Sequence, residues 1–458
     1  MRISVVGLGK LGSPLLAVLA SRGFDVCGID LHQSVVDQIN RKVAPVQEPQ
    51  LQELLNAFGN RIRATTDWQD GIEGTDVTGI IVPTPSGADG AFRNDFVLSA
   101  VENIGRVLRQ KRGYHLVVVH STTMPGSIGG PIKERLEQAS GKRVGVDLGL
   151  CYNPEFIALG NVISGLLHPD FVLIGESDAR AGDMLQDIYR QVVGPDVAVR
   201  RMNFVNAELA KISVNTYVTM KISFANMLSE ICHGLPDADA DVVTAAIGMD
   251  GRIGGKYLQS GTGYGGPCFP RDTVAFVTAG RGVGVDAVLA SATRQTNERQ
   301  VPRLLDLVGQ HAGKGDVVAV LGLSYKPGTN VVEESQGLLL ATALDRAGYN
   351  VVAHDPAAID AARAVLGAGF CFAESTAEAV AAADVVVLMV AWPEYRDFFR
   401  TWRGTRNTKA VIDCWRLARE NALEDDIAVV RLGLHSAPDV RHSPPRQSEA
   451  ARRLAQFR

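Results

Sequence analysis

The chain opens with a short apolar run, residues 3–6, that ends in a glycine turn. Residues 13–23, SPLLAVLASRG, carry apolar side chains at helical spacing and stop at a glycine. A second apolar run, FDVCGID, ends in Asp30. This order predicts a strand, a helix and a second strand, and hence one βαβ unit at the start of the chain.

Three further apolar runs end in polar residues, at residues 76–86, 114–127 and 149–156. They predict more strands of the same sheet. Because ligands of an open α/β sheet bind beyond the carboxyl ends of its strands, Thr84, Thr122 and Glu155 are candidates to line a site there. Each also has a structural interpretation, since threonine caps turns and helices and a glutamate after Asn-Pro can begin a helix.

Residues 203–235 predict one long helix, because their apolar side chains repeat at helical spacing and no proline or glycine occurs before Gly234. Lys211 and Asn215 interrupt the apolar pattern and share one face of that helix. A solvated surface lysine is the ordinary alternative. A polar pair in apolar surroundings favours instead a lysine that is aimed at developing negative charge.

The last third of the chain repeats the style of the first. Residues 316–330 run from an apolar strand into a glycine turn, with helical and apolar segments after them and no second G-x-G-x-x-G. Lys326 lies in this turn, where a cation can meet a phosphate. The pattern predicts an α/β fold of two Rossmann-like open parallel-sheet domains joined by a long central helix. The predicted boundaries are 1–200, 201–310 and 311–440, with a polar tail over 441–458.

The first turn carries glycines at the spacing G-x-G-x-x-G, at Gly7, Gly9 and Gly12. Such glycines allow a tight turn and let the backbone approach a diphosphate, which the helix N-terminus then faces. Asp30 is placed to accept a ribose hydroxyl, and its charge favours NAD over NADP because it repels a 2′-phosphate. The nearby His32 and Arg41 keep NADP open, and a turn residue is the alternative for Asp30.

Composition limits the partners of this chain. Its 458 residues are enough for two or three domains with hydrophobic cores. Hydrophobic residues make up 46% and the formal net charge is −4, so no polybasic field attracts nucleic acid or a membrane surface. The sequence has no secretory signal pattern and no apolar run of the roughly 18 residues that a membrane span needs. We therefore expect a cytoplasmic protein with no nucleic-acid or membrane partner.

The six cysteines are scattered without pair spacing, which argues for reduced thiols and against a disulfide framework or a metal site. Cys268 lies in GTGYGGPCFPRD, residues 261–272. Glycines there supply free amides, prolines stiffen the chain, and the adjacent cation favours a thiolate. Asp272 is placed to orient a water or a lysine. We interpret Cys268 as a nucleophile, and a buried structural cysteine is the alternative.

Together these segments resemble the UDP-glucose/GDP-mannose dehydrogenase family, the nucleotide-sugar 6-dehydrogenases. The shared motifs are STTMPG, NPEF, AELAKISVNTYVTMKISFAN, GMDGRIGGKYL, GGPCFPRD and GLSYKPGT, in the family's order. The resemblance extends to about residue 440. It implies a NAD-binding first domain, a central dimerisation domain and a nucleotide-sugar-binding last domain.

The resemblance also implies an activity. Two NAD⁺ are used in turn to take the primary alcohol at the sugar's sixth carbon to a carboxylate, and Cys268 holds the sugar as a thiohemiacetal and then as a thioester. Lys211 and Asn215 are implied to stabilise the oxyanion, and Asp272 to help activate water. An aldehyde that is held covalently cannot leave between the two oxidations.

Further residues take their roles from the same resemblance. Thr122 and Glu155 are implied to position sugar and water, and Thr84 and Thr122 to lie at the cofactor. The implied substrate contacts are Phe156, Leu159, Arg252, Tyr257 and Lys326. Arg252 is implied to reach the substrate of a neighbouring subunit, so that a homodimer shares its substrate sites.

Three positions depart from the family pattern. Leu159 stands where relatives that use UDP-glucose carry a second glutamate, Glu333 stands in place of an arginine, and Arg271 replaces a lysine. The expected substrate is therefore either a UDP-hexose or a UDP-N-acetylhexosamine. The alternatives are a β-hydroxyacid or 6-phosphogluconate-type dehydrogenase, which needs no thiol, and a nucleotide-sugar or NAD-binding protein without turnover.

Overall fold

The computed structural model describes residues 1–367, 369–418 and 427–435. The chain divides into two compact units. The first comprises Met1–Val214 and Thr278–Gly284, and the second comprises Asn215–Val277 and the residues from Val285 onward. The tail predicted over 441–458 lies outside the described residues, as do residues 436–440 of the predicted last domain.

An eight-stranded sheet, counted over the described residues, is the frame of the first unit. Its strands are β1 Arg2–Val6, β2 Asp25–Ile29, β3 Ile62–Thr65, β4 Val77–Ile80, β5 His115–Val119, β6 Leu148–Tyr152, β7 Val172–Glu176 and β8 Val199–Met202. They lie in the order β3-β2-β1-β4-β5-β6-β7-β8, with β6 and β7 antiparallel and the other neighbours parallel. The order reverses between β1 and β4, which opens a crevice at the carboxyl ends of these strands.

Helices cover both faces of this sheet. They are α1 Gly12–Ser21, α2 Gln33–Asn40, α3 Leu51–Phe58, α4 Trp68–Glu73, α5 Asp95–Gln110, α6 Lys133–Ser140, α7 Val162–Leu167 and α8 Ala179–Val193. Side chains of β1 alternate between two apolar clusters, Ile3 and Val5 on one face and Val6 on the other. This alternation is what the two-residue period of a strand imposes when both faces are buried.

The long helix α9 runs over Phe204–Gly234, which confirms the helix predicted over 203–235. The boundary between the two units falls inside it, so that Lys211 belongs to the first unit and Asn215 to the second. The two residues are one helical turn apart.

The second unit has a six-stranded sheet within its described residues, in the order β11-β10-β9-β12-β13-β14 with parallel neighbours throughout. Its strands are β9 Val317–Leu321, β10 Asn350–His354, β11 Cys371–Phe372, β12 Val385–Leu388, β13 Ala410–Asp413 and β14 Ala428–Arg431. The remaining helices are α10 Ala240–Gly248, α11 Phe269–Gly282, α12 Val288–Glu298, α13 Gln300–Gly309, α14 Gln336–Ala347, α15 Ile359–Leu366, α16 Thr376–Ala382 and α17 Pro393–Phe399. Two parallel-sheet units and a long central helix confirm the predicted fold class. None of the described helices is long and apolar enough to cross a membrane.

Candidate functional site

The glycine turn after β1 has the shape that a diphosphate requires. Gly7 has a φ of +91°, and a Cβ there would lie 2.5 Å from the Ile81 carbonyl oxygen. A Cβ at Gly12 would lie 1.7 Å from the Gly7 oxygen, so α1 packs directly on the turn. A Cβ at Gly9 would meet nothing within 4 Å. The backbone at Gly9 is therefore open to a ligand at the start of α1, where the helix dipole attracts an anion.

Asp30 closes the other side of this turn. It follows β2 directly, is half-buried, and accepts hydrogen bonds from the Leu8 amide at 2.8 Å and the His32 amide at 2.9 Å. These bonds fix the carboxylate at the carboxyl end of the sheet beside the glycine turn. The residues present thus fit a dinucleotide, with the diphosphate at Gly9 and a ribose at Asp30.

Two loops beyond β4 and β5 are joined through their threonines. The Thr84 hydroxyl donates to the Thr122 carbonyl oxygen at 2.7 Å, which brings these two candidates together. Ser121, which the sequence analysis did not single out, adds a second link. Its hydroxyl accepts from the Val82 amide at 2.9 Å and donates to the Val82 carbonyl oxygen at 2.7 Å.

Glu208, in the second turn of α9, anchors the loop that follows Thr122. It is fully buried and accepts hydrogen bonds from the Gly126 amide at 2.7 Å, the Ile128 amide at 2.8 Å and the Thr123 hydroxyl at 3.2 Å. Burial raises the pKa of this carboxyl, and the three donors oppose the rise. The helical pattern alone does not predict this role, although Glu208 lies three residues before Lys211 on the same helix.

Lys211 is buried and points to the segment that carries Glu155. Its ammonium donates to the Glu155 carbonyl oxygen at 2.6 Å and lies 4.8 Å from the centre of the Phe156 ring. Phe156 in turn packs on Phe171, with ring centres 5.0 Å apart. The structure therefore brings together Lys211, Glu155 and Phe156. Leu159, four residues after Glu155, packs against the apolar cluster that contains Ile3 and Val5.

The Glu155 carboxylate meets two side chains that the sequence analysis did not select. Tyr189 of α8 donates to its Oε1 at 3.2 Å, and His120 Nδ1 lies 3.5 Å from the same oxygen. Both side chains are buried.

In the second unit, Asn215 and Asp272 form a buried pair. The Asn215 amide donates to Asp272 Oδ2 at 2.6 Å, and Arg271 Nε lies 3.7 Å from Asp272 Oδ1. Asp272 is in the first turn of α11, and its backbone amide donates to the Cys268 carbonyl oxygen at 2.8 Å. Cys268 thus stands at the start of α11 and is exposed, whereas the other five cysteines are buried.

The glycines before Cys268 permit close packing on the β9-to-α14 connection. A Cβ at Gly265 would lie 2.2 Å from the Glu334 carbonyl oxygen, and one at Gly266, whose φ is +86°, would lie 2.6 Å from the Tyr325 ring. The Gly266 amide donates to the Glu333 carbonyl oxygen at 3.0 Å. The side chain of Glu333 itself is exposed.

The remaining predicted substrate contacts belong to the second unit, where Arg252 and Tyr257 are exposed and Lys326 is half-buried. The Arg252 side chain is 88% exposed, and its guanidinium pairs with Asp250 at 2.6 Å. Tyr257 has a left-handed backbone with a φ of +61° and meets the Phe269 ring edge-on at 6.2 Å. Lys326 lies 5.9 Å from the Tyr325 ring centre. Among the described residues, no cluster of three or more metal-binding side chains could hold a metal ion.

Comparison with known proteins covers most of the chain. Residues 1–193 match the NAD binding domain of the UDP-glucose/GDP-mannose dehydrogenase family, residues 205–299 its central domain and residues 319–420 its UDP binding domain.

Individual relatives agree with this match. The chain is 38% identical to a UDP-glucose 6-dehydrogenase of Haloferax volcanii over 86% of this chain and 92% of that protein. It is 34% identical to a GDP-mannose 6-dehydrogenase of Pseudomonas syringae pv. tomato over 78% and 81%. The solved structure of a UDP-glucose dehydrogenase from Pyrobaculum islandicum superposes with a TM-score of 0.86 at 32% identity, over 94% of this chain and 98% of that one.

Proposed function

Because this chain belongs to the UDP-glucose/GDP-mannose dehydrogenase family, we propose that it oxidises the primary alcohol at the sixth carbon of a nucleotide sugar to a carboxylate. One observation carries the proposal. Cys268 is the exposed one of the six cysteines and directly precedes α11, whose first turn contains Asp272, the hydrogen-bond partner of Asn215. The amide dipoles at a helix start stabilise negative charge, which favours a thiolate.

NAD⁺, when bound, accepts the hydride that the sugar carbon loses. The turn of Gly7, Gly9 and Gly12 holds its diphosphate, and Asp30 holds a ribose hydroxyl. Thr84 and Thr122 line the crevice next to this turn. The bond between Thr84 and the Thr122 carbonyl fixes both loops before the cofactor enters.

The thiol of Cys268 accounts for a reaction that removes four electrons. The alcohol first loses a hydride and a proton and becomes an aldehyde. Cys268 Sγ then bonds to the carbonyl carbon and gives a thiohemiacetal, whose own loss of a hydride and a proton gives a thioester. Water displaces the sulfur, so that the carboxylate leaves and the thiol is restored.

Charge develops on oxygen during these steps, and the proposed roles follow from it. Lys211 and Asn215 stabilise the oxyanion, for which a buried ammonium and a fixed amide donor are suited. Asp272 and Glu155 act on water, and Thr122 positions the sugar with Glu155.

The proposed substrate is a UDP-hexose or a UDP-N-acetylhexosamine. The match of residues 319–420 to the family's UDP binding domain supports a nucleotide sugar as the substrate, and Lys326 and Tyr257 are the proposed contacts to the nucleotide. Leu159 removes a carboxylate from the segment after Glu155 and replaces it with an apolar side chain. The loss of that carboxylate keeps an N-acetylated hexose among the proposed substrates.

We propose a homodimer whose partners share substrate sites through Arg252. The Arg252 side chain is 88% exposed and pairs with Asp250, so the guanidinium lies at the surface, where it can contact a neighbouring subunit. Helix α9 also exposes a row of large apolar side chains, each between 43% and 58% exposed: Val205, Leu209, Tyr217, Phe224, Met227 and Ile231. Such a row supports self-association, because exposed apolar patches mark contact surfaces.

Stoichiometry tests the proposed function. Purified protein is incubated with NAD⁺ and a panel of UDP- and GDP-sugars, and NADH and the acid product are both counted. We expect two NADH per sugar oxidised, and Cys268→Ser should stop at the aldehyde stage with NAD⁺ binding intact. One NADH with a ketone product would support a β-hydroxyacid-type dehydrogenase. Binding of nucleotide sugar without any NADH would support a protein that has lost turnover.

A further inference from the structure

The carboxylate of Glu155 is held by residues that come from distant parts of the chain. Among the residues that the structure describes, its contacts all fall on Oε1, which lies 3.2 Å from the Tyr189 hydroxyl and 3.5 Å from His120 Nδ1. The backbone oxygen of Glu155 is held separately by Lys211 at 2.6 Å. One carboxylate oxygen and the backbone of this residue are therefore fixed, and Oε2 is left for chemistry.

We propose that Tyr189 and His120 are positioning residues that hold Glu155 in place for its action on water. The proposal rests on the proposed function, in which Glu155 acts at the thioester. Neither residue belongs to a motif that the sequence analysis selected for chemistry, and neither needs to touch the substrate.

Hydrogen bonding fixes which nitrogen of His120 carries the proton. His120 Nδ1 lies 2.9 Å from the Asn153 carbonyl oxygen, which only accepts, so Nδ1 must donate. Glu155 Oε1 lies 3.5 Å from the same nitrogen. The ring has room because β4 carries Gly79, where a Cβ would lie 3.1 Å from His120 Nε2. A glycine in the middle of a strand thus makes space for the imidazole.

Tyr189 can serve both protonation states of Glu155. The Asn153 amide nitrogen donates to the Leu173 carbonyl oxygen at 2.8 Å, so its Oδ1 is an acceptor, and the Tyr189 hydroxyl donates to it. When Glu155 is ionised, the hydroxyl can turn its hydrogen to Oε1. When Glu155 is protonated, the hydroxyl can donate to Asn153 and accept from Glu155.

The phenol stays in its donating form. Tyr189 is buried, and burial together with the nearby charge of Glu155 raises the pKa of its hydroxyl well above the usual value. A group that gains and loses a proton in each cycle needs a partner that can donate and accept without ionising. A buried phenol with a fixed amide behind it meets that need.

The test is Tyr189→Phe, which removes the hydroxyl and keeps the ring. We expect kcat for acid formation to fall by roughly ten- to a hundredfold, because Glu155 loses its orientation. The apparent KM for the sugar should not rise, and a thioester on Cys268 should accumulate. Intact-protein mass spectrometry after acid quench detects that adduct. A wild-type hydrolysis rate with no adduct would overturn the proposal.

Two sets of variants separate positioning from general damage. Tyr114→Phe removes another buried hydroxyl, next to the amino end of β5, and should leave kcat unchanged. His120→Leu should reproduce the defect, whereas His120→Asn, which keeps a donor near the Nδ1 position, should recover most of the rate. If Tyr189→Phe does not fold, the comparison of His120→Leu with His120→Asn is the test. Equal rates for these two variants would overturn the proposal.

A structural readout keeps this inference distinct from the proposed function. Wild-type protein that makes no second NADH would refute the thioester chemistry by itself. The positioning of Glu155 is tested without any reaction, by comparing crystal structures of wild type and Tyr189→Phe. We expect the Glu155 carboxylate to leave its wild-type orientation in the variant, and an unmoved carboxylate would refute positioning whatever the activity.

Discussion

Accessibility separates Cys268 from the other cysteines of the chain. The other five are buried, and burial raises the pKa of Cys27 to about 11 and raises those of Cys151 and Cys414 further. A raised pKa leaves less thiolate at a given pH, so these thiols react slowly. We predict that iodoacetamide at pH 8 labels native protein on Cys268 first, as measured by peptide mass spectrometry.

The matched control is Cys268→Ser, which should take up no label on the same timescale while folded. Denatured wild type should take up label on all six cysteines. Early labelling of Cys27 or Cys414 in the native protein would contradict the prediction.

Residues with a local signature could be predicted, and residues defined by tertiary contact could not. Asp30 was selected because its place after the second strand is part of a βαβ pattern, and its bonds to Leu8 and His32 agree with that place. Tyr189 lies 34 residues after Glu155 on an amphipathic helix, and there the pattern predicts only a side chain of the hydrophobic core. Only the packing of α8 on the sheet brings its hydroxyl to the carboxylate.

Helix α9 ties down the loop beyond β5 through a single carboxylate. Glu208→Ala would leave the Ile128 amide and the Thr123 hydroxyl buried without their acceptor, and the exposed Gly126 amide would also lose its partner. We predict a loss of about 3 kcal/mol or more in the free energy of unfolding, because each unsatisfied buried donor costs roughly 1–3 kcal/mol. Urea denaturation followed by circular dichroism measures it.

Glu102 of α5 provides the comparison. Its side chain is 33% exposed and pairs with Arg106 and, at 2.7 Å, with Arg135. Glu102→Ala should cost no more than about 1 kcal/mol. Similar losses for the two variants would mean that Glu208 does not anchor the loop.

At the amino ends of β1, β4 and β5, a buried polar chain joins three strands. His115 Nε2 lies 2.8 Å from the Thr78 hydroxyl, which lies 2.7 Å from that of Ser4, and Lys111 donates to His115 Nδ1 at 3.0 Å. Burial and the charge of Lys111 lower the pKa of His115 to about 3. Its imidazole is therefore neutral in the folded protein.

This lowered pKa predicts how stability depends on pH. Between the ordinary histidine pKa of 6.5 and about 3, the unfolded chain binds a proton that the folded chain does not. The free energy of unfolding should therefore fall as pH drops below 6.5, with a slope that approaches about 1.4 kcal/mol per pH unit from this residue. His115→Gln should reduce the slope between pH 7 and 5, measured by denaturant titration. An unchanged slope would contradict the lowered pKa.

At the scale of elements, periodicity predicted α9 to within a residue at each end, because it is long and has no internal breaker. Pairing directions were harder to predict. The antiparallel contact of β6 with β7 depends on how the chain returns after Glu155, and a short apolar strand does not encode its own direction.

The two α/β units use an aspartate at the same place for different purposes. Asp30 and Asp355 each follow the second strand of their sheet. Asp355 is 1% exposed and accepts from the amides of Leu323 and Ser324 and from the Trp392 indole. Its acceptor capacity is therefore used within the protein, whereas the half-buried Asp30 retains access to a ligand.

Substitution of each aspartate tests whether Asp30 binds the cofactor and Asp355 stabilises the fold. We predict that Asp30→Ala raises the Kd for NAD⁺ by roughly ten- to a hundredfold, since a hydrogen bond to a charged group is worth about 1.5–3 kcal/mol. Asp355→Ala should instead lower the free energy of unfolding by about 3 kcal/mol and leave the Kd unchanged. Calorimetric titration and thermal unfolding measure the two effects, and equal losses of NAD⁺ affinity would contradict the division.

A shared site in the proposed dimer predicts complementation between inactive variants. Cys268→Ser removes the thiol of a site, and Arg252→Ala removes its arginine. If Arg252 serves the partner's substrate, a dimer of one subunit of each variant keeps one site with both residues intact. Random pairing after co-expression should restore about a quarter of wild-type activity. Activity no greater than that of the two variants measured separately would place Arg252 in its own subunit's site.

The close packing of Gly265 and Gly266 on the β9-to-α14 connection sets a rule for recombining this protein with its relatives. A chimaera that imports the carboxy-terminal sheet to change nucleotide preference also imports new side chains at positions 325 and 334. Its donor must then supply residues 261–268 as well, because a side chain larger than hydrogen at either glycine would collide with the new residues and displace Cys268. The exchanged segment must therefore begin at residue 261, well before the first strand of the second sheet.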